Sequence, residues 1–218
     1  PFVEDKLGPL VAEGIETGRL GFVVGARAAV TGCEIAFLCV PTPQKPDGSA
    51  DLSFIEAATR DIVDALPEGA ILVNKSTVPV GSTRVVEQVL DRADVPVVSN
   101  PEFLREGSAV EDFLKPDRIV IGTQDQVAAK AVAALYDPVV APVLITDPAS
   151  AETIKYAANA FLATKLSFAN AIAAVCEGVG ADVSDVMSGL GYDRRIGPEF
   201  LIPGPGWGGS CLPKDTRA

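Results

Sequence analysis

Histidine is absent from all 218 residues. That removes serine–histidine and cysteine–histidine catalysis, histidine-ligated zinc and a histidine base for a dehydrogenase. Basic residues are scarce as well: 18 Lys and Arg against 29 Asp and Glu leave a net charge of −11. Such a surface repels phosphate polyanions, so neither nucleic acid nor an anionic membrane is an expected partner. No apolar run approaches the roughly 20 residues of a membrane helix, and no signal peptide is visible. The four cysteines, Cys33, Cys39, Cys176 and Cys211, lack CxxC or framework spacing. This fits a reducing cytoplasm and no structural metal. Chemistry here must come from Cys, Lys, Asp, Glu, Thr or Asn.

What is present is an alternation of apolar strands and amphipathic helices. EIAFLCV (34–40) reads as a strand buried on both faces, and AILVNKS (70–76), VPVVSNP (95–101), RIVIG (118–122) and VLIT (143–146) as further strands in the series. Leu52, Ile55, Ala58, Ile62 and Leu66 fall near a 3.6-residue period, and further helices are expected over 82–93 and 125–135. The pattern predicts an α/β fold with a doubly wound parallel sheet. Ligands bind such sheets outside the carboxyl ends of the strands, where CVPTP, NKSTVP and SNPEFLREG lie on one rim. From Ala151 to about Gly178 the sequence turns alanine-rich, without proline. A helix of that length spans about 40 Å, and it suggests a second, all-α domain. The expected division is 1–147 and 148–218. No GxGxxG turn follows a first strand, and GARAAVTG (25–32) does not replace it. The chain opens on Pro1 and stops at PKDTRA, as expected for part of a longer protein.

Four stretches carry candidate chemistry, each beside a plainer alternative. GWGGSCLPKD (206–215) presents Cys211 behind glycines and four residues ahead of Asp215, a carboxylate suited to act as base or water-orienter. The alternative is a surface loop around a packed cysteine. Lys155 and Asn159 are spaced i, i+4, on one helix face, and can polarise a carbonyl or hold an alkoxide. Most lysines are simply solvated. Glu102 and Glu106 follow a strand end in NPEFLREG; a glycosidase pair is one reading, ordinary exposed carboxylates another. Thr77 in KSTVPVG is, alone, part of a strand-to-helix loop.

In their order, CVPTP, NKSTVPVG, SNPEFLREG, ETIKYAANAFLATK, RRIGPEFL and GWGGSCLPKD resemble the UDP-glucose/GDP-mannose dehydrogenase family over essentially the whole chain. The resemblance implies a partial Rossmann-like domain, without its Gly-rich turn, then a long central helix and the start of an all-α dimerisation domain. It implies NAD as cofactor and a nucleotide sugar as substrate, oxidised at C6 in two steps to the carboxylate. Cys211 is then the nucleophile, Asp215 its base or water-orienter, Lys155 and Asn159 the groups stabilising the oxyanion, and Thr77 with Glu102 the water-holding and acid/base pair. The sugar nucleotide would meet Glu102, Phe103, Leu104, Lys155, Asn159, Arg195 (reaching the neighbouring subunit), Phe200, Leu201 and Gly208. NAD would meet Val40, Pro41, Thr42, Ser76, Thr77, Glu106 and Lys214. RRIGPEFL favours UDP-glucose. GDP-mannose, and a β-hydroxyacid or 6-phosphogluconate-type single oxidation, remain the alternatives. A homodimer through the long helix, and no activity in this stretch alone, complete what the likeness implies.

Overall fold

The computed structural model describes residues 4–46, 48–209 and 211–217; Ser210 of the GWGGSC motif lies outside them. Residue contacts divide the chain into one unit of Pro1–Pro43 with Ala50–Lys155, and another of Gln44–Ser49 with Tyr156–Ala218. The division between these two units falls inside the long helix.

The first unit holds five strands, β1 (Ile35–Leu38), β2 (Ile71–Asn74), β3 (Val97–Ser99), β4 (Ile119–Gly122) and β5 (Val143–Thr146), in the spatial order β1-β2-β3-β4-β5. β1, β2 and β3 are parallel, as are β4 and β5. β4 runs antiparallel to β3, paired through Ser99 and Gly122. This corrects the expectation of an all-parallel sheet, because an apolar run carries no mark of its direction. The reversal explains how both faces are covered although the strand order never turns back. Right-handed crossovers along one sequential order place every helix on the same face; reversing strand direction moves the next crossover to the other. Helices α3 (Ser53–Ile62) and α4 (Ser82–Leu90) accordingly pack Ile55, Ile62, Val86 and Leu90 against Leu72 and Val97. Helix α6 (Gln126–Ala134) packs Ala128, Ala129 and Val132 against Ile71, Val73, Val98, Ile119 and Ile121 on the opposite face. Asp125 caps α6, its side chain accepting from Val127 N and Ala128 N.

In the first unit three helices carry no expectation from the sequence: α1 (Leu7–Glu16), α2 (Ala26–Val30) and α5 (Ala109–Leu114). None has a buried stripe; Val30 is their one buried residue, so apolar periodicity had nothing to mark.

Helix α7 (Pro148–Val179) starts on a proline, a residue suited to the first helical turn. Its 32 residues make it long and apolar enough, by length and composition, to cross a membrane. That corrects the expectation that no segment reaches this length, since averaged composition passes over the polar residues that interrupt its apolar runs. The second unit holds its later turns with α8 (Val183–Gly191) and α9 (Leu212–Asp215). Its core joins Ala169, Met187 and Leu201, with Ile172, Val183, Val186 and Leu190 packed around them.

Candidate active site

In the first unit the loops after β1 and β2 are bound to each other. Thr42 Oγ1 donates to the Thr77 carbonyl at 2.8 Å, and Ser76 Oγ donates to the Val40 carbonyl at 2.7 Å. Four of the residues assigned to the cofactor, Val40, Thr42, Ser76 and Thr77, thereby form one half-buried ledge, with Pro41 exposed between them. The ledge sits at the strand ends where a dinucleotide lies in this class of sheet. It fits part of NAD: the backbone is held in place by its own hydrogen bonds. The one GxGxxG spacing in the sequence, GPGWGG (204–209), follows helix α8 rather than a strand, so it is no pyrophosphate turn and the fit extends to the ledge alone. Glu106 is exposed on the loop after β3.

That loop also brings Glu102 to Lys155. Lys155, only 6% exposed, places Nζ 3.2 Å from Glu102 Oε1, and Leu104 N donates to Glu102 Oε2 at 2.6 Å. The Phe103 ring lies 5.3 Å from Lys155 Nζ and 3.8 Å from the Arg118 guanidinium. A cation over an aromatic face is attracted by the ring quadrupole, and a guanidinium also stacks. Arg118 reaches the rim because β4, paired antiparallel through its last residue Gly122 with Ser99 at the end of β3, begins beyond that end, a consequence of the antiparallel step that the sequence did not signal.

Lys75 is the second cation here that sequence reasoning missed. Its Nζ donates to Asn100 Oδ1 at 3.0 Å and to Tyr136 Oη at 3.1 Å, and Tyr136 Oη donates to the same Asn100 oxygen. Asn100 Nδ2 donates to the Val120 carbonyl, which fixes the amide's orientation. Burial pushes the Lys75 ammonium down to about 8, against the favourable charges of Glu102 and Cys39, and the Lys155 charge adds to the lowering. Burial raises the Cys39 thiol, which Lys75 opposes, and likewise raises the Tyr136 phenol. The one available signal was a lysine ending an otherwise apolar strand.

This buried amine makes stability depend on pH. Between about 8 and the ordinary lysine value of 10.5, the unfolded chain holds a proton that the folded chain lacks, so folding gains as pH rises. We expect the unfolding free energy of the wild type, relative to Lys75→Met, to grow by up to about 3 kcal/mol between pH 7 and 10.5. Guanidinium titrations of both proteins across that range check this; a difference independent of pH contradicts it.

The second unit assembles its own set. Asp215, 4% exposed, accepts from Asn159 Nδ2 at 2.6 Å and from Lys214 Nζ, so each carboxylate oxygen has a donor. Lys214, assigned to the cofactor by resemblance, is thus held by Asp215. Cys211 precedes α9, is exposed, and accepts from Asp215 N through its carbonyl at 2.9 Å. The Gly/Pro-rich stretch before it is pinned to α7: Gly204 N donates to Asn170 Oδ1 and Trp207 Nε1 to Ser167 Oγ, both at 2.9 Å. Gly209, with φ +81, needs the freedom glycine has. Arg195 is exposed and paired with Asp193 at 2.6 Å. Phe200 adopts φ +62, a strained conformation for a bulky residue. Leu201 differs from its assignment to a substrate loop: it is 3% exposed, in the core with Ala169 and Met187. Gly208 is exposed with open space around it.

The chain matches the UDP-glucose/GDP-mannose dehydrogenase family, its NAD-binding domain over residues 1–140 and its central domain over 149–218. It is similar to the UDP-glucose 6-dehydrogenase of Rhizobium meliloti (strain 1021), 49% identical over all of this chain and 52% of that protein. Its fold is similar to a UDP-glucose dehydrogenase from the hyperthermophilic archaeon Pyrobaculum islandicum, with a TM-score of 0.95 and 44% identity over 99% of this chain and 52% of that one. It is also similar to the GDP-mannose dehydrogenase of Pseudomonas aeruginosa, with a TM-score of 0.84 and 35% identity over 100% of this chain and 53% of that one. The chain spans about half the length of the curated relatives it matches.

Proposed function

The chain belongs to the UDP-glucose/GDP-mannose dehydrogenase family, and from that membership we propose that its protein oxidises the C6 alcohol of UDP-glucose to the carboxylate, using Cys211 as nucleophile. NAD, held at the ledge after β1 and β2, would accept one hydride in each oxidation, two molecules being used in turn. The protein's own groups do the rest. Cys211 Sγ bonds to the aldehyde carbon to give a thiohemiacetal, the second oxidation leaves a thioester, and water cleaves the C–S bond to release the acid. Asp215 takes or orients the protons of the thiol and the water. Lys155 and Asn159 donate to the oxygen on C6, with Glu102 and Thr77 moving its proton and holding water. The observation that carries this reading is the buried Asp215 carboxylate, gripped by Asn159 and Lys214 one helical turn after an exposed cysteine. UDP-glucose is favoured over GDP-mannose because the likeness to the UDP-glucose enzyme is the higher, 44% against 35%.

Counting NADH formed per sugar consumed by the full-length gene product tests this, with UDP-glucose and GDP-mannose in parallel. Two per UDP-glucose supports the reading. Two with GDP-mannose alone keeps the mechanism and changes the substrate. One per sugar places the protein among single-oxidation dehydrogenases.

The same proposal includes a homodimer through α7. Ala157, Phe161, Phe168, Ala171, Val175 and Val179 are all exposed, and their steps of four, seven, three, four and four follow one helix face. An unpartnered apolar seam on a long helix suits a second copy of itself. Phe161→Glu with Phe168→Glu is expected to shift the sedimenting species to the monomer mass; an unchanged mass would remove α7 from the interface.

A further inference from the structure

Glu152, in the second turn of α7, is 2% exposed, and its side chain accepts three hydrogen bonds. Oε2 takes Gly81 N at 2.6 Å, and Oε1 takes Thr83 N at 2.8 Å and Thr83 Oγ1 at 2.7 Å. All three donors belong to the start of α4, whose N-cap is Gly81 at φ +96, a conformation that favours glycine and leaves no local side chain to cap. Ser82 Oγ turns instead to the Pro79 carbonyl. The first turn of α4, with its orphan N–H groups and positive dipole end, is therefore capped by a carboxylate from another helix. A buried carboxylate costs several kcal/mol unless it is satisfied in this way.

The capped turn closes the loop that carries Thr77. Three residues beyond Glu152, on the same face of α7, is Lys155, whose Nζ meets Glu102 on the loop after β3. Between them α7 presses on the sheet: a methyl built on Gly122 would lie 2.4 Å from the Ala151 Cβ. One helical turn is thus fixed at three points. We propose that Glu152 is a positioning residue for Lys155, locking the second turn of α7 so that the ammonium is held between Glu102 and the Phe103 ring. Its role in turnover rests on the function proposed above; its effect on Lys155 does not.

The test is Glu152→Gln in the full-length protein, because the amide puts a donor where Gly81 and Thr83 also donate. Two readouts are taken: kinetics with UDP-glucose, and the rate at which trinitrobenzenesulfonate modifies Lys155, followed by peptide mass spectrometry. Exposed Lys115 serves as the control. We expect kcat to fall about 30-fold with KM changed less than about threefold, the split of a misplaced group. Lys155 modification should speed up about tenfold while Lys115 stays constant, as a buried amine gains access. A cap with no bearing on Lys155 leaves its modification rate unchanged, and that result overturns the proposal. If Glu152→Gln does not fold, Thr83→Val removes one of the three bonds, the one from Oγ1, and keeps both backbone donors; it should move both readouts the same way, by about threefold. No movement there is equally fatal. If the wild type fails to oxidise UDP-glucose, the functional reading falls, while the Lys155 rates still decide this one.

Discussion

Cys211→Ala is expected to lower the rate of carboxylate formation by at least about 10,000-fold, because without the thiol there is no covalent adduct to oxidise. That factor corresponds to about 5 kcal/mol of lost transition-state stabilisation. Stability should hardly change. Cys211 is exposed, it buries no core surface, and the bond from Asp215 N to its carbonyl survives the substitution. Asp215 also keeps its donors, Asn159 and Lys214, so the variant loses one atom of chemistry and little else. The measurement is NADH and acid released per UDP-glucose, beside a thermal melt. Acid formed at the wild-type rate would end the thioester scheme. Lost acid in a protein that also melts early would leave packing as the cause, which the exposure of Cys211 argues against.

The sequence disclosed most where local chemistry is unusual. Cys211 behind its glycines, and five strands apolar on both faces, needed only neighbouring residues to be read. Direction was another matter. RIVIG is as apolar in either sense, so the antiparallel step between β3 and β4 was hidden, and with it the arrival of Arg118 at the rim beside Phe103. Pairs formed across long stretches of chain were hidden for the same reason. Lys75 meets Tyr136 and Glu152 caps α4 through tertiary folding, and no periodicity records such a meeting. Leu201 was hidden in another way. Its place in a motif suggested a ligand, and nothing local told that its side chain also packs in the core with Met187.

Lys155→Met should reduce kcat by about 1,000-fold and leave KM for UDP-glucose within about fivefold, since a group that stabilises developing charge acts in the transition state. Methionine keeps much of the lysine stem, so the cavity is small and the loss reports the charge. The variant also strands Glu102. Its Oε1 loses the ammonium at 3.2 Å while Oε2 keeps Leu104 N, and a partly buried carboxylate without its cation disturbs the loop that holds it. That second consequence can be separated from the first by a double-mutant cycle. Glu102→Gln alone is expected to cost about 100-fold, as for one removed acid/base group. In Lys155→Met/Glu102→Gln the stranded charge is gone, so the combined loss should stay near about 1,000-fold rather than reach the product of the two. Lys155→Arg should not restore the rate, because a planar guanidinium cannot replace an ammonium fitted between Glu102 and the Phe103 ring. If the two losses multiply, Glu102 and Lys155 act on the substrate independently, and the 3.2 Å contact between them has no part in turnover.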